Sequence, residues 1–303
     1  MRNIDEELKT IVDNGFKLES SKYELENLAF VSLRLALKAY YSTYKSNEMN
    51  IGAFINNERD IKEDPIIAHI KAYYENYFEC IVHFQHFFEL ITKDILGKIN
   101  KLLTVRVQNK YDILYKLINN IDLDVEEESK LISIEFSEVL KAFPQLNKEG
   151  FINSKHQIWA EDKKIRVLEK LNKLRNSIWH RGLYIVPYEE LDIFIGKYIL
   201  PLVKKVVEDT EYHKYQKIWK YEYVALGIEP LSKIIDLYES TNDFSDKKHI
   251  KKAAYLKEVG RAAYYNNMRK SEWESKDYKN DTGKIFHVGW AYFDKKSLIL
   301  KVE

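Results

Sequence analysis

The sequence predicts an all-α protein, a helical bundle with helical flanking regions and a small β-hairpin near its C-terminal end. Two observations carry that expectation. Only 10 glycines and 5 prolines occur in 303 residues, against average usage of roughly 7% and 5%, so few positions can break a helix. Ile70, Tyr74, Tyr77, Ile81, Phe84, Phe88, Ile91 and Ile95 then recur at steps of four and three, an unbroken apolar stripe along one face of a long helix. The chain is also long enough to bury a substantial core.

Taken in order, the chain divides into residues 1–64, 65–210 and 211–303. In the first region, Leu25, Leu28, Ser32, Leu35 and Ala39 mark an amphipathic helix over Tyr23 to Tyr44. A loop follows up to Asp64-Pro65, since the residue before a proline is biased away from helix. The long striped helix, Ile66 to about Leu103, opens the second region as its spine. A helix over Tyr111–Asn120 comes next. Asp122, Asp124, Glu126, Glu127 and Glu128 then read as a solvated turn and helix start. An apolar-periodic segment, Leu131 to Phe143, is expected to end at Pro144, and Gln145 to Trp159 reads as loop around Gly150. Helices over Asp162–Arg181 and Tyr188–Val207 follow, the latter kinked or split by Pro201. In the third region a short helical stretch from Trp219 is interrupted at Gly227 and Pro230. A basic helix then covers Lys247 to Lys270, and the hairpin is expected within Ile285 to Val302.

Bulk charge points to no particular partner: 48 basic residues oppose 47 acidic ones, for a net +1. The single cysteine, Cys80, excludes an intrachain disulfide and a cysteine-rich zinc site, as fits a reducing cytoplasm. The start, MRNIDEELKT, places charges where a signal peptide needs an apolar core. No uncharged apolar run approaches the roughly 18 residues of a membrane helix. A soluble, cytoplasmic protein with no membrane partner is expected.

The segment that carries chemistry is LNKLRNSIWHRG, Leu171 to Gly182. On a helical wheel Val167, Leu171, Leu174 and Ile178 fall within about 60 degrees, and Ile165, Leu168 and Trp179 form a second apolar stripe beside them. Arg175 lies between the two stripes, so its guanidinium is expected to be partly buried and to need a carboxylate or an arriving phosphate. Asn176 and His180, four apart, share a face; Arg175 and His180 are about 140 degrees apart on that wheel. Gly182 suits a helix-closing C′ position, which puts His180 in the last turn, where the dipole favours the imidazolium. An imidazole that moves protons and a guanidinium that clamps phosphate oxygens are what cleavage of an RNA phosphodiester without metal requires. The substrate's 2′-hydroxyl supplies the nucleophile. With nine Arg, eight His and twenty Asn in the chain, an Arg-Asn-x-x-x-His string is expected by chance only about 0.02 times.

That hexad, Arg175-Asn176-Ser177-Ile178-Trp179-His180 at the end of a helix, resembles the catalytic signature of the HEPN superfamily, over about residues 65 to 210. The resemblance implies a fold of HEPN type and a metal-independent endoribonuclease, as in toxins and antiviral abortive-infection effectors. It implies that Arg175 and His180 are catalytic, with Asn176 as the supporting polar residue. It also implies a composite site in which two motifs face each other. One copy per chain then means a homodimer acting on RNA (tRNA, ribosomal or messenger), with an antitoxin or activating partner as controller. The chain departs from the toxin branch that is modified on a tyrosine two residues after the histidine. Gly182 stands there, and Tyr184 is out of register.

Other candidates accompany the hexad. Glu79, His83 and His86 share a face of the long helix and suit either a supporting role beside the catalytic helix or a transition metal; a solvated polar face is the plainer alternative. The basic segment carries Lys247, Lys248, Lys251, Lys252, Lys257, Arg261, Arg269 and Lys270 against one acid, Glu258. Lys247, Lys248, Lys251, Lys252 and Arg261 are its candidates for tracking an RNA backbone, with tyrosines interleaved; an ordinary solvated helix is the alternative. No cofactor is implied, since Gly-rich phosphate loops, H-E-x-x-H and G-x-S-x-G are all missing from the sequence. Two other readings compete with the nuclease. In one, Arg175 pairs with a carboxylate inside the bundle and His180 only caps the helix. In the other, a non-catalytic HEPN-like scaffold binds a nucleotide, a nucleic acid or a partner protein.

Overall fold

The computed structural model describes Ile4, Leu8 and residues 27–46, 63–181, 185–220, 229–241, 243–244 and 246–273. Four short strands at 277–279, 285–287, 291–294 and 299–302 complete it. The protein is all-α in class. Its helices are α1 (Leu28–Ser46), α2 (Glu63–Ile99), α3 (Tyr111–Ile118), α4 (Val125–Ser129), α5 (Phe136–Lys148), α6 (Asp162–Arg181), α7 (Tyr188–Ile193), α8 (Leu200–Asp209), α9 (Gln216–Trp219), α10 (Pro230–Glu239) and α11 (Lys247–Trp273). Among the described residues, no helix is long and apolar enough to cross a membrane.

The spine is α2, 37 residues long. From Tyr77 onward its stripe is buried as the spacing predicts: Tyr77, Ile81, Phe84, Phe88, Ile91 and Ile95 lose nearly all contact with solvent, whereas Tyr74 is half-buried and the Ile70 side chain lies outside the described residues. Helix α1 lies along it and sets Phe30 edge-on to Phe87, ring centroids 5.8 Å apart. One hydrophobic core draws on all three sequence regions, from Ala29 and Phe30 through Phe143, Trp159 and Leu171 to Ala253 and Tyr264. The divisions at 64/65 and 210/211 therefore run through a shared core rather than between separate ones. The acidic cluster is a helix start, as expected: Asp124 accepts from the Glu127 amide and Glu127 accepts from the Asp124 amide, a reciprocal capping box.

Prolines account for several differences from the sequence expectation. Pro65 does not bound α2 but sits in its first turn, where the missing N–H has no partner to lose. Pro230 opens α10 for the same reason instead of interrupting a helix. Pro144 does not end the apolar segment; α5 continues through it to Lys148, and Gly150, at φ 77°, turns the chain in the left-handed region. Residues 132–133 form strand β2, paired with β1 (Val105–Arg106), and residues 154–160 form a 3₁₀ turn rather than open loop. Near Pro201 the helix is indeed divided, by a π-helical turn over Phe194–Ile199 that precedes α8. Gly196 within that turn lets the Tyr238 ring approach so closely that an added Cβ would lie 2.4 Å from it.

The C-terminal hairpin is present as β5 (Ala291–Asp294) antiparallel to β6 (Ile299–Val302). A second ladder, β3 (Asp277–Lys279) with β4 (Ile285–His287), comes before it.

Candidate functional site

Helix α6 carries the hexad and crosses α2 in antiparallel fashion. Near one end of the contact the rings of Phe78 and Trp179 meet edge-on with centroids 5.7 Å apart. Near the other, Gln85 Nε2 donates to Asn172 Oδ1 at 3.4 Å. Leu168, Leu171 and Ile178 anchor α6 in the core. The hexad is thus held by packing against α2.

Within it, Arg175 and Asn176 are half-buried and His180 is exposed. Arg175 Nη1 donates to Asn176 Oδ1 at 2.9 Å, and the guanidinium lies over the Trp179 ring, 5.8 Å from its centroid. Neither partner neutralises the charge. Among the described residues Arg175 makes no ion pair, so the expected carboxylate inside the bundle is not found there. A half-buried guanidinium that rests on an amide oxygen and a π face keeps donors to offer an incoming anion. Asn176 therefore acts first on Arg175, fixing the fork. Trp179, expected on an apolar stripe, is 56% exposed, although the edge of its ring meets Phe78. Helix α6 ends at Arg181; Gly182, expected to close it, and Tyr184 lie outside the described residues.

Of the three residues on α2, His86 feels the charge of Arg175. Burial pulls its imidazole below the ordinary histidine value, Glu89 opposes this, and Lys93 and the Arg175 guanidinium push it further down. Its Nδ1 shares a 2.8 Å hydrogen bond with Ser32 Oγ of α1. His83 is likewise lowered, chiefly by burial, with Glu79 raising it, and its Nδ1 is buried without a hydrogen-bond partner among the described residues. Glu79 is exposed. Among the described residues no set of three His, Cys, Asp or Glu side chains is gathered to hold a metal, these three included.

The basic segment of α11 divides. Lys248, Lys251 and Lys252 are exposed, and the Lys247 side chain falls outside the described residues. Arg261 does not face solvent: it is 6% exposed, and its guanidinium binds the Glu258 carboxylate one turn earlier. A cation buried and paired in this way cannot track an RNA backbone, which corrects the sequence expectation for Arg261.

Lys257 is a still larger departure from a solvated helix. It is wholly buried and donates to Asp192 Oδ1 at 2.5 Å, Thr43 Oγ1 at 2.6 Å and Tyr188 Oη at 3.2 Å. Its ammonium also lies 4.5 Å from the centroids of both Tyr40 and Tyr188. Burial pulls its pKa below the ordinary lysine value, and Asp192 opposes that. The nearby Cys80 thiol is pushed up by burial. This pair clamps α11 to α7 and α1. No sequence signal marks it, because Asp192 stands 65 positions away.

A cleft of about 560 Å³ opens beside the first turns of α6, lined by Lys163, Lys164, Arg166, Lys197 and Tyr198, with Glu239 as its acid. Comparison of the chain with family models, with curated proteins and with solved structures returns no match.

Proposed function

We propose that the protein is a metal-independent endoribonuclease of HEPN type, acting as a homodimer in the role of a toxin or abortive-infection effector. The observation that supports this best is the state of Arg175: half-buried, oriented by Asn176, free of any carboxylate among the described residues, and five residues before an exposed His180. A charge clamp without an anion beside an open imidazole suits a scissile phosphate arriving from solvent.

In the reaction, the 2′-oxygen of the substrate attacks the adjacent phosphorus and the bond from phosphorus to the 5′-oxygen breaks. An imidazole takes the 2′-hydroxyl proton, and a second one gives a proton to the leaving 5′-oxygen. The products are a 2′,3′-cyclic phosphate and a 5′-hydroxyl, with atoms and charge conserved. One chain supplies one His180 and one Arg175, so a second copy supplies the other proton carrier and the other clamp. The exposed Trp179 offers apolar surface for that contact.

The test is incubation of wild type and His180→Ala with total tRNA and ribosomal RNA, with EDTA present. Wild type is expected to cleave at a rate at least about 100-fold above the variant, at a molar mass of two chains in solution. The variant should keep the wild-type circular dichroism. Equal cleavage by both proteins, or none by either, contradicts the proposal; the latter is what a binding scaffold would give.

A further inference from the structure

The outward face of α6 carries a second pattern. Lys163, Arg166, Lys170, Lys173, Ser177 and His180 follow one another at steps of three, four, three, four and three, the spacing that stacks side chains along a single helix face. Lys163, Arg166, Lys170, Lys173 and His180 are exposed, and Ser177 is half-buried. Among the described residues none of the four cations forms an ion pair, although Asp162 and Glu169 flank the ridge. At the helix's N-terminal end the ridge merges with the cleft, where Lys164 and Lys197 add two more cations without ion pairs among the described residues. At its other end stands the imidazole. From Lys163 to His180 the ridge rises about 25 Å along the helix axis, a span of several nucleotides.

The cleft has the second ingredient of a single-strand site. Tyr198 lines it and keeps 44% of its surface exposed, a ring face on which a base can stack. Lys197 is held in place beside it, its ammonium 4.7 Å from the centroid of Phe244 and 5.9 Å from that of Tyr198. Both residues lie within the π-helical turn Phe194–Ile199, which positions them.

We infer that this face is a track for single-stranded RNA: a base rests on Tyr198 in the cleft, and the phosphates pass Lys163, Arg166, Lys170 and Lys173 in turn to reach His180. The direction of the track rests on the ribonuclease reading; the binding does not. A single strand suits the site better than a duplex, because stacking on Tyr198 needs an unpaired base.

The test uses a fluorescently labelled single strand, 2′-O-methylated throughout so that it cannot be cut, and long enough to span the ridge. Affinity is read by anisotropy as a function of salt for wild type and for Lys163→Gln/Arg166→Gln/Lys170→Gln/Lys173→Gln. These side chains are exposed, so the variant should melt as wild type does. Its binding is expected to weaken at least about tenfold at low salt, and the salt slope to fall by about 0.7 for each cation removed. The charge-keeping variant Lys163→Arg/Lys170→Arg/Lys173→Arg should bind as wild type. Tyr198→Ala should weaken binding to the single strand and leave binding to a duplex unchanged. An unchanged affinity and slope in the glutamine variant overturns the track. So does a loss seen instead with Lys248→Gln/Lys251→Gln/Lys252→Gln, or a duplex that binds more tightly than the single strand. Ridge-dependent binding by a wild type that leaves unmodified RNA intact would keep the track and sink the nuclease reading. Cleavage with no dependence on the ridge would do the reverse.

Discussion

Helix α6 carries seven Lys and Arg residues against two acids, and helix α11 carries eight against two. On α11 the cations nearest the middle turn inward. Lys257 is locked to Asp192 and Thr43, and Arg261 to Glu258. On α6, Lys163, Arg166, Lys170 and Lys173 all face water, and the partly buried Arg175 meets an amide and a ring, with no carboxylate among the described residues. The lesson is that the number of charges on a helix does not say what they are for. A cation whose charge is cancelled inside the protein serves the fold, and one left open is available to an anion from outside.

Breaking the inward set should cost the most. Lys257→Met leaves the Asp192 carboxylate buried without its counter-charge and is expected to destabilise the protein by about 3–5 kcal/mol, read from chemical denaturation. Replacing both partners, Lys257→Met with Asp192→Leu, should recover most of that loss. On α6, Lys170→Gln should move stability by no more than about 0.5 kcal/mol. Similar losses at the two sites would erase the distinction between the helices.

A smaller effect separates the helices by pH. His249 of α11 is packed edge-on against the Tyr238 ring, 4.7 Å between centroids, and burial lowers its pKa; His83, His86 and His156 are lowered for the same first reason. A histidine lowered in the folded state binds its proton more readily when unfolded. Its contribution is complete above the ordinary value near 6.5 and is lost as pH falls below it, at up to about 1.4 kcal/mol per pH unit for each group. Melting temperature should therefore drop on acidification from pH 7 to 5, and His249→Phe should flatten the drop. A flat wild-type profile would mean these imidazoles are not shielded as the packing implies.

Part of this architecture is legible in the sequence alone. The stripe from Tyr77 to Ile95 is periodic because one helix buries one face, so spacing alone locates the spine. The hexad's placement at the end of a helix was equally plain, since Arg175, Asn176 and His180 lie within six consecutive residues. What could not be read were facts that depend on distant partners. Nothing near Lys257 in the chain foretells Asp192, and nothing near Arg175 says that no carboxylate among the described residues pairs with it. Pro144 inside α5 and Pro230 at the start of α10 depart from the sequence expectation because a proline's effect depends on its position within the helix. The ridge on α6 was present in the sequence at regular spacing, but only exposure separates a binding face from a buried one.

The central claim is that the hexad cuts RNA through the substrate's own 2′-hydroxyl. It is tested most directly by mapping one cleaved linkage in a ribo-oligonucleotide, then repeating the reaction with that single nucleotide made 2′-deoxy. The account predicts a 2′,3′-cyclic phosphate and a 5′-hydroxyl from the first strand, and no cut at that linkage in the second. Cleavage at the deoxy position, or a 5′-phosphate on the product, would contradict it.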